Sequence, residues 1–319
     1  MDSHKLLIDQ FNGHFERINA ELSRTFNNLV SLTEVIGNHS FLGEGKRLRP
    51  LLFVMSSQLC GYQEEDIYHF STIFEYIHTA SLLHDDVLNN AEMGTRKPSA
   101  NHVSRNSAAV LGGDFLKTKY FSIAVGSNNL DFLKILADTT TRMDEGQVLE
   151  FAQRGNWHIS RDEYMEIVIS KTAVLFSAAC ACGAIIAGAE KQAVYHLSQF
   201  GLNLGIAFQI MDDILDYTSC EEEFGKPLRN GRINLPLIYT LSNLKGTEIE
   251  RLEALFKNHK GKDKDYYKKI IEMVRNNGVI GRVRSEARLN VDKAARFLGY
   301  FSASPAKEDL MQLNADIIR

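Results

Sequence analysis

Two acidic stretches, 85-DDVLN-89 and 212-DDILD-216, are near-copies of one another. Each lies inside a long apolar-periodic segment without internal proline. On a helix, residues i and i+4 share a face, so Asp212 and Asp216 project together with Asp213 beside them, and Asp85 and Asn89 repeat that geometry. Carboxylates crowded on a buried face repel one another unless a cation sits between them. A facing pair of such clusters suits divalent ions that in turn hold a diphosphate. The copies differ at their last position, where Asn89 stands in the first and Asp216 in the second.

Basic residues gather at Lys46, Arg47 and Arg49 and again at Lys226, Arg229 and Arg232, in glycine-bearing segments expected to be loops or helix ends. Taken singly, either cluster reads equally well as solvated surface charge. Beside two carboxylate clusters they point to a polyphosphate. His78 precedes Asp85 by two helical turns and faces the same way, whereas His84 has no such register and reads as a core or supporting residue. Gln209 interrupts an apolar stripe three and seven residues before Asp212 and Asp216, on their face.

The elements that must carry these groups read as helices. Ile67, Phe70, Phe74, Ile77, Leu82 and Leu88 recur at roughly helical spacing between Gly61 and Gly94. A second long helix is expected from about Tyr195 to Tyr217, where Gly201 and Gly205 leave room for close helix contact. Further helical patterns cover Leu6–Leu32, Phe132–Phe151, Asp162–Ala187, Leu235–Ser242 and Asp263–Leu298. No segment sustains period-two alternation bounded by hairpin turns. The expected fold is all-α, a large antiparallel bundle.

The chain has 319 residues, 44% of them hydrophobic and 24% charged, without a linker-like or low-complexity stretch, so one domain spanning 1–319 is expected. A net charge of −4 argues against nucleic acid as a partner. Four irregularly spaced cysteines form no metal or disulfide framework, and Cys180 and Cys182 read as small packing residues. The start, MDSHKLLIDQF, has neither the basic residues nor the apolar core of a signal peptide, and a cytoplasmic location is expected. The apolar run Thr172–Ala189 approaches membrane-spanning length, but its alanine and glycine content favours a packed core helix and no span is expected.

Taken in order, 45-GKRLRP-50, 78-HTASLLHDDVLN-89, 112-GGDFL-116, 171-KT-172, 205-GIAFQIMDDILDY-217, 225-GKP-227 and 234-NLPLI-238 resemble the trans-isoprenyl diphosphate synthases over nearly the whole chain. The resemblance implies about ten or more helices around a deep central cavity. It implies a reaction in which an allylic diphosphate ionises, the double bond of isopentenyl diphosphate attacks, and loss of a proton completes the step. Asp85, Asp212 and Asp216 would hold magnesium (Mg2+), with Asn89 at the fourth metal position and Asp86 and Asp213 in support. Lys171 and Lys226 would neutralise the allylic diphosphate, beside Thr172 and Gln209. Lys46, Arg49 and His78 would bind isopentenyl diphosphate.

The chain departs from that family pattern in three places. Two adjacent arginines and a glycine normally follow the first acidic motif, but here Gly94, Thr95 and Arg96 occupy those positions. A charged hydrogen bond is worth about 1.5–3 kcal/mol, so each lost arginine would cost about 10- to 150-fold. Arg96 and Lys97 reach in only if the loop shifts, and Glu92 substitutes for the missing carboxylate only if its helix extends that far. Asn89 offers a carbonyl without charge, and the segment after Lys226 is short and lacks the usual aspartate. Ala80, with Ser81 beside it, stands where short-chain enzymes of the family carry an aromatic floor, so long products are expected. The expectation is a homodimeric, magnesium-dependent, long-chain polyprenyl diphosphate synthase. Its rivals are a weakly or non-catalytic subunit of a heteromeric synthase and a class I terpene synthase.

Overall fold

The computed structural model describes residues 3–26, 47–92, 100–218, 228, 230–259 and 264–318, and among these every regular element is a helix. Lys46, Lys226, Arg229 and the stretch holding Gly94, Thr95, Arg96 and Lys97 lie outside the described residues.

In chain order the α-helices are α1 (Ser3–Phe26), α2 (Leu48–Leu59), α3 (Ile67–Glu92), α4 (Ala100–Gly126), α5 (Leu130–Ala152), α6 (Arg161–Val168), α7 (Val174–Ile186), α8 (Lys191–Thr218), α9 (Leu235–Leu241), α10 (Gly246–His259), α11 (Lys264–Asn276), α12 (Val279–Leu298) and α13 (Pro305–Asp316). A π-helical segment, Ile169–Ala173, joins α6 to α7. The packing centres on α8, which lies against α7 on one side and α12 on the other, while α2 packs on α7 and α3 on α4.

The order follows from local chemistry. Ser160 and Glu163 close a capping box at the start of α6, which satisfies amide groups that would otherwise be orphaned. Pro50 sits in the first turn of α2, where a missing N–H costs nothing. Gly205 allows α8 to press on the preceding layer, because a Cβ there would come 2.7 Å from the Ala173 Cα. Gly201 plays the same part against the Phe176 backbone.

Two hydrophobic clusters result. One gathers α1–α5, α7 and the first half of α8 around Phe53, Phe74, Phe132, Phe176 and Phe200. The other gathers α6, α9, α11, the first half of α12 and the second half of α8 around Trp157, Ile210, Ile214, Tyr267 and Val283. Cys180 and Cys182 are free and buried, as small packing residues should be. Segment Arg161–Ile186 is long and apolar enough to cross a membrane, yet most of it is buried in the protein. The helix expected over Asp263–Leu298 is two, since Gly278 adopts φ 70° and breaks the chain between α11 and α12.

Candidate active site

A cavity of about 760 Å³ opens between α2, α3, α5, α6, the π-helical segment, α8 and the loop before α9. Asp85 from α3 and Asp212, Asp213 and Asp216 from α8 all line it, so the two acidic motifs face one space. Arg49, His78, Ser81, Lys171, Thr172 and Gln209 line it too. Among the described side chains, two candidates do not. Asp86, one residue round the helix from Asp85, is exposed and off the lining. Ala80 is fully buried in the first hydrophobic cluster, leaving its neighbour Ser81 as the residue of that pair on the cavity wall. Asn89 and Glu92 lie on α3, which does extend to Glu92.

The first acidic site is already charge-compensated. Lys171 Nζ donates to Asp85 Oδ2 at 2.5 Å and to Glu150 Oε2 at 2.6 Å. The Arg232 guanidinium adds contacts of 3.4 Å and 3.2 Å to the same two oxygens. The π-helical turn presents the adjacent Lys171 and Thr172 to the same cavity, a use typical of such turns. Gly146 makes this meeting possible. A Cβ there would lie 2.6 Å from Ser170 Oγ and 2.9 Å from Lys171 N.

In the second motif, Asp213 and Asp216 accept hydrogen bonds from neutral donors. Tyr164 and Gln209 donate to the two oxygens of Asp213, the latter at 3.0 Å, and the Thr172 hydroxyl donates to Gln209 Oε1 at 3.0 Å. Asn234 Nδ2 donates to Asp216 Oδ2 at 3.3 Å and accepts at Oδ1 from the Tyr217 hydroxyl. Burial, with added repulsion from neighbouring carboxylates, pushes Asp213 up to about 7 and Asp216 up to about 6.

Arg49 is half-buried in the cavity wall with its guanidinium 4.7 Å from the centre of the Phe176 ring. Burial lowers it to about 10, so it stays cationic at neutral pH, and its Nε has no hydrogen-bond partner. Burial and the nearby Arg49 and Arg47 cations lower the His78 imidazole well below its ordinary value, which keeps it neutral. Arg47 is committed to a buried ion pair with Glu75.

Sequence reasoning missed Glu150 and Tyr164, and gave no individual role to Arg232 or to Asn234, the first residue of 234-NLPLI-238. Tyr164 precedes Lys171 by two helical turns, a register that could have flagged it. Glu150 follows Gly146 by one turn of α5, and its only signal is that glycine. Among the described residues no three acidic, histidine or cysteine side chains form a ready-made ligand set, so an ion here would take the rest of its shell from water and substrate.

The polyprenyl synthetase family model matches residues 31–274. Octaprenyl diphosphate synthase of Escherichia coli is 31% identical over 300 residues, 93% of this chain and 92% of that protein. Heptaprenyl diphosphate synthase component 2 of Bacillus subtilis is 32% identical over 75% of this chain and 70% of its own length. A crystal structure of polyprenyl synthase from Caulobacter crescentus, complexed with calcium and isoprenyl diphosphate, superposes with a TM-score of 0.88 and 29% identity, covering 99% of this chain and 97% of that one. This chain belongs to the polyprenyl synthetase family of prenyltransferases.

Proposed function

We propose that this chain is a magnesium-dependent, long-chain trans-polyprenyl diphosphate synthase that adds isopentenyl diphosphate head-to-tail onto an allylic diphosphate. The observation that carries the reading is the one cavity lined by Asp85, Asp212, Asp216, Lys171, Arg232 and Arg49. Carboxylates facing cations in a half-enclosed space fit a metal-bound diphosphate better than any neutral ligand.

The donor set is all oxygen, which suits magnesium, and the Caulobacter relative's calcium complex supports a hard divalent ion. Asp85, Asp212 and Asp216 would hold it, with the Asn89 carbonyl at the remaining protein position. The bound ion supplies positive charge for the diphosphate that departs from the allylic carbon. Lys171 and Arg232, fixed in place before the bond breaks, neutralise the same leaving group, and the family resemblance adds Lys226 to them. Asp213, tied by Tyr164 and Gln209, anchors the turn of α8 between the two ligating aspartates. Lys46, Arg49 and His78 hold isopentenyl diphosphate. The buried, unpartnered Arg49 Nε needs an acceptor, and a phosphate oxygen is a suitable one.

The reading extends to a single domain in the cytoplasm that works as a homodimer. Val110, Leu111, Phe121 and Val125 fall on one face of α4, and α5 adds Leu130 and Val148, all exposed. A second copy covering that stripe would bury it. The name of the Bacillus relative, a component 2, favours a second reading, a subunit that pairs with a different chain. A terpene synthase would leave Arg49 and His78 without purpose. Incubating the purified protein with farnesyl and isopentenyl diphosphates plus magnesium tests the proposal. Products of about thirty carbons or more support it, and no condensation by the protein alone favours the subunit reading.

A further inference from the structure

Glu150 has no part in the scheme above, although it touches both cations of the first site. It sits at the end of α5 with a side chain 16% exposed, against 15% for Lys171. The four charges come from four separate segments: Asp85 from α3, Glu150 from α5, Lys171 from the π-helical turn and Arg232 from the loop before α9. Two cations meet two carboxylates, so the group is electrically balanced without a substrate.

The balance matters when a diphosphate arrives. If Lys171 and Arg232 are to pair with phosphate oxygens while Asp85 turns to a metal ion, their bonds to Asp85 and Glu150 must loosen. Asp85 then has a new cationic partner. The scheme above assigns no ion to Glu150, so in it the Glu150 negative charge stays beside the incoming anion. A carboxylate in that position competes with diphosphate for the same donors, and in a partly buried site the competition is poorly screened by salt.

We infer that Glu150 is a positioning residue that acts as a resident counter-anion: it holds Lys171 and Arg232 aimed into the cavity before substrate binds, and it weakens their grip on diphosphate enough for the released diphosphate to leave. The inference rests on the reading of Lys171 and Arg232 as diphosphate-binding groups. Gly146, one turn earlier on the same face of α5, supplies the close approach that brings Glu150 within 2.6 Å of Lys171.

The test uses inorganic pyrophosphate as the probe, titrated calorimetrically into the full-length protein with magnesium, for wild type, Glu150→Gln, Glu150→Asp and Lys171→Ala. Glu150→Gln keeps the shape and removes the charge, so pyrophosphate should bind about tenfold tighter or more, the size of one charged contact. In turnover, KM for the allylic diphosphate and kcat should both fall in this variant, because substrate and product diphosphate are both held longer. Glu150→Asp keeps the charge and should return both parameters toward wild type. A purely structural role would lower kcat without tightening pyrophosphate. Unchanged or weaker binding in Glu150→Gln, with Lys171→Ala still losing affinity, overturns the counter-anion inference alone. If Lys171→Ala binds pyrophosphate as tightly as wild type, the diphosphate reading of the cavity itself fails.

Discussion

The two acidic motifs are near-copies in sequence, yet their carboxylates are partnered differently. On α3, Asp85 is buried against Lys171 and Arg232, and its negative charge is matched by fixed side-chain cations. On α8, Asp213 and Asp216 are held by a tyrosine and two amides, which orient the carboxylates without neutralising them, and both are pushed toward the protonated form. The same local spacing therefore yields one carboxylate paired directly with side-chain cations and, on α8, a pair of carboxylates raised by burial and mutual repulsion. The second is where an added divalent ion relieves the most repulsion. At the first, Lys171 and Arg232 already meet the Asp85 charge.

The largest expected effect follows from that contrast. Asp212→Ala removes a carboxylate from the mutually repelling group on α8, and turnover should fall by about a thousandfold or more. The fold should survive, because one like charge is removed from a crowded group, and circular dichroism with a thermal melt checks it. Near-normal turnover would reverse the ranking of the two motifs and assign α8 a structural role.

Next in size is repair of the first site. Asn89→Asp combined with Gly94→Arg and Thr95→Arg restores the family pattern and should raise activity by about one to three powers of ten if both charged contacts form. If activity appears only beside a partner chain, with or without these changes, the subunit reading replaces the enzyme reading. A fast wild type and a slower restored variant would mean that Arg96, Lys97 and Glu92 already fill the vacant roles.

A smaller effect concerns the wall beside the first motif. Ser81, one helical turn before Asp85, lines the cavity while Ala80 is packed in the core. Ser81→Phe should shorten the product distribution, because each isoprene unit excluded forfeits up to about 4 kcal/mol of burial at 0.8 per carbon. Ala80→Phe should instead act through overpacking, at a cost of about 1–3 kcal/mol of stability. Chromatography of the products and thermal melts of both variants separate the two. A shorter product from Ala80→Phe with an unchanged melt would return Ala80 to the cavity wall.

What could be read from residues alone follows the physics of each element. Helices with a one-sided apolar stripe, such as α3, α5 and α8, stand near their expected bounds. Helix α2 was not foreseen because Leu51, Leu52, Phe53 and Val54 are all buried, which erases any periodicity. Helix α4 was missed for the converse reason: Leu111 and Phe121 face outward while Leu116 and Tyr120 face the core. In the site, Asp85, Gln209 and Asp212 were legible because local spacing marks them, and Lys171 because the resemblance carries it. Glu150 was not, since its role comes from segments that meet only in three dimensions.

The smallest expected effect is the most direct probe of the charge contrast. Asp213 and Asp216 have folded values of about 7 and about 6, above the ordinary carboxylate value of about 4 that the unfolded chain would show. Groups raised in this way favour the metal-free fold most strongly at low pH, below their unfolded values. That contribution is lost as pH climbs through about 6 and then about 7, because the folded state must surrender protons it holds more tightly than the unfolded chain does. A divalent ion binds the deprotonated carboxylates and so competes with those protons. Magnesium should therefore raise the melting temperature more at pH 8 than at pH 5.5, by a few degrees. In Asp216→Asn the pH dependence of that shift should shrink, since one of the linked protons is gone. An equal magnesium shift at both pH values in wild type would mean that the α8 carboxylates bind no ion linked to their protons, and the electrostatic distinction between the two motifs would lose its functional meaning.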